Sequence, residues 1–321
     1  MKQGMVIGID LGGTSVSSAV VDDSGCISHQ ARLSVSGSRT AKEVINRLLT
    51  CVGMTMDSCG RDRVVGVGVG TPGLIAKETG TVVYAPNVPE WEDLPLQSLL
   101  RDRIGLPITI ENDANSAAIG EHWVGVAAGH KNILCITLGT GVGGAIIMND
   151  EVWRGTNGAS GEIGHMTVVE NGRMCGCGAP GCLEAYASAT GIAGQARELL
   201  RSNRKGILSD LAGDDLDHID AEMVADAASQ GDEIAWKVMH RSATLLGIAV
   251  SSLTNVLNPE MIVIGGGVIK AGDMILEPVR AEVARRAYAW SASVLKIVPA
   301  SLGDNAGIIG AARHFMLSQS S

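Results

Sequence analysis

Between Gly161 and Glu184 the chain reads GEIGHMTVVENGRMCGCGAPGCLE. His165, Cys175, Cys177 and Cys182 crowd into this stretch of a chain that has seven His and seven Cys in all. One imidazole and three thiols make a donor set suited to tetrahedral zinc. The Cys175-x-Cys177 spacing is one residue tighter than the common Cys-x₂₋₄-Cys arrangement. Gly176, Gly178 and Gly181 supply the backbone freedom that so sharp a fold needs. The alternatives are a turn of buried reduced thiols and a disulfide. Glu162 and Glu184 bracket the donors, as expected of a rigid scaffold that holds a polar site.

Three glycine-rich turns each follow an apolar run: Asp10-Leu11-Gly12-Gly13-Thr14, Gly139-Thr140-Gly141-Val142-Gly143-Gly144 and Gly265-Gly266-Gly267. Backbone N–H groups in such turns form anion-binding nests, and Thr14 and Thr140 add hydroxyl donors. No Gly-Lys-Ser/Thr follows any of them, so none is a Walker A loop. None has the full GxGxxG form of a dinucleotide site. Together they fit a nucleotide held by its phosphates. Asp10, at a strand end beside the first turn, is placed either to hold Mg²⁺ through water or to cap a hairpin. Glu111-Asn112-Asp113-Ala114-Asn115 puts acids and amides at a strand-to-helix junction. A carboxylate there can take a proton from a substrate hydroxyl; equally, Asn or Asp can cap the helix.

The elements that must carry these groups alternate between strand and helix, which predicts an α/β class. Strands are expected at Met5–Asp10, Val16–Val21, Val64–Val69 (with Gly at alternate positions), Ile108–Ile110, Asn132–Leu138, Ala145–Met148, Met261–Ile264 and Val294–Val298. Helical spacing runs over Ala41–Met56, Leu94–Ile104, Asn115–Val126, much of Gly191–Leu257, Ile275–Tyr288 and Gly307–Leu317. The plan strand, small Gly-rich turn, strand occurs at Asp10–Thr14 and again at Gly139–Gly144. It reads as a duplication giving two related halves, or as two unrelated β-turns.

At 321 residues the prior is two domains. The chain is 45% hydrophobic but only 3% aromatic, so its core must be aliphatic. A net charge of −9 opposes nucleic-acid binding, which needs a concentrated basic face. No apolar run approaches the length of a membrane span, and the N-terminus has no signal-peptide core. Cys26, Cys51, Cys59 and Cys135 read as reduced thiols. A soluble cytoplasmic protein is expected, with no nucleic-acid or membrane partner.

The stretches IGIDLGGTSVSSAVVD, GVGTPGLI, ENDANSAAIGEHW, LGTGVGGAII and above all GEIGHM…CGCGAPGCLEAYAS closely resemble the ROK family of sugar kinases, within the actin-like ATPase superfamily. The glucokinases of that family are the most similar, and the resemblance covers essentially the whole chain. It implies two actin-like (ribonuclease H-like) α/β domains with a cleft between them. The small one would span 1–114, completed by a C-terminal helix over 305–321; the large one would span 115–304 and carry the zinc loop. It implies ATP-dependent phosphorylation of a hexose, glucose foremost, with N-acetylmannosamine, N-acetylglucosamine, allose or fructose as alternatives. Asp113 would be the general base on the 6-hydroxyl. Gly73, Asn87, Asn112, Glu162, His165 and Glu184 would hold the sugar with it. Asp10 (through Mg²⁺), Gly12, Gly13, Thr14, Gly139, Thr140, Gly141, Gly265, Gly266 and Gly267 would hold ATP. His165, Cys175, Cys177 and Cys182 would bind a structural Zn²⁺. A homodimer or homotetramer is expected. Repressors of the family carry a helix-turn-helix domain ahead of the first glycine turn, and a turn beginning at residue 10 leaves no room for one.

Overall fold

The computed structural model describes residues 4–38, 40–85 and 90–319, and its elements fall into two units. The first comprises Met1–Lys131, Ala145–Ser160 and Ser301–Ser321; the second comprises Asn132–Gly144 and Gly161–Ala300.

A five-stranded sheet organises the first unit. Its order across the sheet is Ile27–Ser34, Ser15–Val21, Met5–Leu11, Val64–Thr71, Ile108–Asn112. The first three strands in sequence form an antiparallel meander; Val64–Thr71 pairs in parallel with the central Met5–Leu11, and Ile108–Asn112 pairs in parallel with Val64–Thr71. On one face Ile7, Ile9, Leu11, Val67 and Val69 bury against Val44, Leu48 and Met56 of helix Ala41–Cys59 and Leu100 of helix Leu96–Ile104. On the other face Val6, Ala19 and Val21 meet Ile308, Ala312 and Phe315 of the C-terminal helix Ala306–Ser318.

The alternating glycines of the central strands face this last helix. A methyl group added at Gly8 would overlap the Ile308 carbonyl oxygen, and one at Gly68 would overlap that of Ala311. Helix Asp113–Trp123 approaches the C-terminal helix as closely, since a methyl at Gly310 would strike the Ser116 carbonyl. Helix and sheet therefore meet backbone to backbone.

In the second unit, Met261–Gly265 lies between Ile133–Leu138 and Lys296–Pro299, all parallel. Its helices are Ala189–Ser202, Ile207–Ala212, Ala221–Ser229, the 25-residue Glu233–Leu257 and Asp273–Arg286, with shorter turns between. Asp232 caps the long helix by accepting from the Ala235 N–H at 2.9 Å, and Asn258 ends it in the left-handed region at φ 46°. Val142–Met148 starts in this unit and finishes in the first, where it pairs antiparallel with Glu151–Val152. Among the described residues no helix is long and apolar enough to cross a membrane.

Several sequence expectations move. The helix expected over Leu94–Ile104 begins at Leu96, because Pro95 takes the cap position and Glu92–Leu94 is a strand. That strand joins Leu74–Ala76 and Thr81–Tyr84 in a small sheet that periodicity did not reveal. The helix expected from Asn115 starts two residues earlier, at Asp113.

The backbone contact sets a stability test. Gly68→Ala should destabilise by about 1–3 kcal/mol through overpacking, lowering the calorimetric melting midpoint by roughly 3–10 °C. Gly53→Ala is the control: it lies inside helix Ala41–Cys59 with nothing within 4 Å of the added methyl. It should be neutral or stabilising by about 0.5–1 kcal/mol.

Candidate active site and metal centre

The metal-type cluster is built by a short loop folded hard on itself. Gly178 and Gly181 take φ of 89° and 79°, values that L side chains resist. The Cys175 N–H donates to the Ala179 carbonyl at 3.0 Å, and the Gly178 N–H donates back to the Cys175 carbonyl at 2.9 Å. A bridge between Thr167 and Cys182 closes the loop's base. The ligand atoms of His165, Cys175, Cys177 and Cys182 consequently all lie within 4.8 Å of one another. Cys175 Sγ is 3.7 Å from His165 Nδ1, and Cys177 Sγ is 3.7 Å from Cys182 Sγ. A tetrahedral cation about 2.3 Å from each sulfur needs S···S edges of about 3.8 Å, whereas a disulfide bond is about 2.05 Å. The spacing fits a cation and rules out the disulfide alternative, and all seven cysteines are free. Burial pushes the Cys175 thiol up to about 12 and raises Cys182 as well. A cation is what would let such thiols ionise.

The two flanking carboxylates face the cluster. Glu162 Oε2 is 3.8 Å from His165 Nε2, the ring nitrogen that points away from the thiols. Burial raises the Glu162 carboxyl's pKa, with Glu184's charge adding to the rise and His165 opposing it. Glu184, the first residue of helix Glu184–Ala187, accepts from Cys175 Sγ at 3.5 Å through Oε1. Its Oε2 accepts the Val142 N–H at 3.0 Å. The same carboxylate thus touches both the cluster and the second glycine turn.

That turn is pinned by the Ala189 N–H on the Gly139 carbonyl at 2.8 Å and by Thr190 Oγ1 on the Thr140 carbonyl at 2.9 Å. The space over Gly139 is open, with nothing within 4 Å of where a Cβ would sit. Gly267 is open in the same way, whereas Gly266, at φ 89°, backs onto Leu138. In the first unit Gly13 faces open space and Thr14 is exposed. The Thr14 carbonyl accepts the Val35 N–H at 2.9 Å, which fixes the loop. Each turn has open space over at least one glycine, at Gly13, Gly139 and Gly267.

Asp10, one residue from the end of its strand, lies against the C-terminal helix, 2.7 Å from where a Gly307 Cβ would lie. Burial, with the charges of Asp113 and Asp304 adding, raises its carboxyl to about 7. Asp113 opens its helix. Its Oδ1 and Asn112 Oδ1 accept the Ala114 N–H at 2.8 and 2.9 Å, and Asn112 Oδ1 also takes the Asn115 N–H at 3.1 Å. Asn112 Nδ2 donates to the Gly73 carbonyl at 3.1 Å. Asn112 is therefore the cap, and it ties Gly73 to the helix start. Asn87 lies outside the described residues.

No local sequence signal marks Arg154, whose Nε donates to Glu111 Oε2 at 3.0 Å. Burial would raise the Glu111 carboxyl, but Arg154 and His314 outweigh it and hold its pKa below the usual range. A buried acid next to two candidate site residues was the available signal; its partner 43 positions away was not.

A model of the ROK family matches residues 6–317. A glucokinase of Halalkalibacterium halodurans is 39% identical over 97% of this chain and 94% of its own. A xylose repressor of Bacillus subtilis is 30% identical over 96% of this chain and 76% of its own. A solved ROK family glucokinase of Streptomyces griseus, in complex with glucose and AMPPNP, superposes with a TM-score of 0.86 at 35% identity, covering 97% of this chain and 99% of that one. With an α/β architecture shared along its length, the chain belongs to the ROK family.

Proposed function

We propose that the chain is an ATP-dependent hexose kinase that phosphorylates glucose at its 6-hydroxyl. The observation that carries this reading is the near-full-length likeness to a glucokinase solved with glucose and AMPPNP. Features within each unit support parts of it. Asp113 is the general base: its carboxylate is held at a helix start by its own Ala114 N–H bond, placed to take the 6-hydroxyl proton. Glu162, His165 and Glu184 bind sugar hydroxyls, with Gly73, Asn87 and Asn112 shaping the pocket. Gly12, Gly13, Thr14, Gly139, Thr140 and Gly141 cradle phosphates, and Gly265, Gly266 and Gly267 lie toward the adenosine. Phosphoryl transfer depends mainly on such positioning and charge stabilisation.

Two cations fit the residues present. Asp10 accepts no hydrogen bond among the described residues and has two acids for neighbours, so it suits Mg²⁺ held through water. His165, Cys175, Cys177 and Cys182 suit Zn²⁺, and four protein ligands leave no open position, so that ion is structural. Its role is to set the His165 ring and Glu184 in place. Bound Mg²⁺ supplies neutralisation of phosphate charge.

A panel of hexoses in a coupled ADP-release assay tests the reading: glucose should turn over best, and Asp113→Asn should lower kcat by about 10²–10⁴-fold with sugar binding kept. Good turnover of an N-acetyl sugar with none of glucose would replace the substrate. The likeness to a repressor raises a second reading, sugar-responsive DNA binding, which the charge of −9 opposes. Retention on operator-like DNA at physiological salt would favour it.

For the metal, Cys177→Ala should lower zinc content well below one ion per chain and raise the sugar KM by about 10–100-fold. Zinc-free protein with unchanged sugar affinity would remove the supporting role.

Asp10 gives a pH prediction. A carboxyl raised from 3.8 to about 7 means that the folded chain holds this proton more tightly than the unfolded chain. Its contribution to stability is complete below the unfolded value and declines as pH rises through the folded one. Asp10→Asn should therefore gain on the ligand-free wild type between pH 4 and 7, reaching a melting midpoint roughly 5–10 °C higher above pH 7. The same variant should lose Mg²⁺-dependent turnover. A melting difference independent of pH would refute the assignment.

A further inference from the structure

Glu111 lies one residue from the end of strand Ile108–Asn112 and is 4% exposed. Each of its oxygens has a separate task. Oε2 accepts Arg154 Nε at 3.0 Å and the terminal guanidinium nitrogen Nη2 beside it, a two-pronged ion pair. Oε1 accepts the Asn112 N–H at 2.9 Å and Asn115 Nδ2 at 3.0 Å. The carboxylate therefore reaches the backbone just before Asp113 and the side chain two residues after it. Asn112 Oδ1 completes the frame from the other side, through the Ala114 and Asn115 N–H groups.

Arg154 is itself fixed. It follows the strand Glu151–Val152, and its Nη1 donates to the Val152 carbonyl at 3.3 Å. The only other basic group within ion-pair distance of Glu111 among the described residues is His314, whose Nδ1 is 3.9 Å from Oε2. Burial lowers the His314 pKa against the pull of Glu111, and the guanidinium is the larger of the two compensating charges.

The geometry points to Arg154 as a positioning residue for phosphoryl transfer: through Glu111 it holds Asn112 and the first helical turn, so that the Asp113 carboxylate is presented in one orientation. This rests on Asp113 being the general base. Removing the guanidinium leaves a buried carboxylate uncompensated, and Glu111 would turn away from the Asn112 N–H to find water. Lysine would restore the charge without the planar fork.

Steady-state kinetics on the full chain test this. Arg154→Met should lower kcat by about 10²-fold, the scale of a misplaced catalytic group, with sugar KM within about threefold. Arg154→Lys should recover part of that loss. Millimolar guanidinium, far below denaturing levels, should restore turnover to Arg154→Gly and do nothing for Asp113→Asn. Full kcat in Arg154→Met, a loss confined to KM, or no guanidinium rescue would each overturn the inference. If Arg154→Met does not fold, Arg154→Lys and the rescue of Arg154→Gly decide. Absence of hexose turnover in the wild type would sink the kinase reading instead. Amide exchange then reads the frame by itself: faster exchange at Ala114 and Asn115 in Arg154→Lys supports it, and unchanged exchange overturns it.

Discussion

A helix that meets a sheet backbone to backbone at Gly8 and Gly68 is the contact on which the first unit depends. Most helix–sheet interfaces interpose two layers of side chains, and small shifts are absorbed by rotamer changes. Here Gly8 and Gly68 bring strand backbone against the Ile308 and Ala311 carbonyls, and no rotamer change can relieve the contact at those two points. The C-terminal helix is locked in place, and it carries Gly307 to Asp10 and His314 to Glu111. The polar end of the sheet inherits its geometry from an apolar contact further along the same strands.

Glu111 and Asp10 show opposite solutions to desolvation. Glu111 has a guanidinium, a backbone N–H and an amide, and its charge is held despite burial. Asp10 has two like charges for neighbours and no hydrogen bond among the described residues, and its proton is retained to about pH 7. The first carboxylate is stabilised by its partners; the second is destabilised by burial and by two neighbouring acids, with Arg32 opposing them.

The readable parts of the sequence were those with a local signature. The Cys and His spacing announced the four-donor cluster, and the alternating glycines of Val64–Val69 announced a strand whose close approach the C-terminal helix explains. Local sequence alone leaves Asn112 and Asp113 open as cap or acid, and the resemblance assigns the acid to Asp113; the hydrogen bonds give Asn112 the cap. What escaped was non-local. Arg154 meets Glu111 across 43 positions, and Val142 meets Glu184 across 42, with no periodicity linking either pair. The small sheet escaped for another reason: strands as short as Leu74–Ala76 cannot display an alternation.

Glu184 has a consequence for how sequence variation in this protein should be interpreted. A methyl group at Gly141 would run into Glu184 Oε2, which is already committed to the Val142 N–H, while Oε1 takes the Cys175 thiol. An invariant glycine in a phosphate-type turn is usually credited to the nucleotide. At position 141 the excluding atom belongs to the cysteine loop's own carboxylate. Drift in the turn is therefore policed from 43 residues downstream, and a lineage that abandoned the cysteine cluster and Glu184 together would free Gly141 to vary even while it kept the same nucleotide.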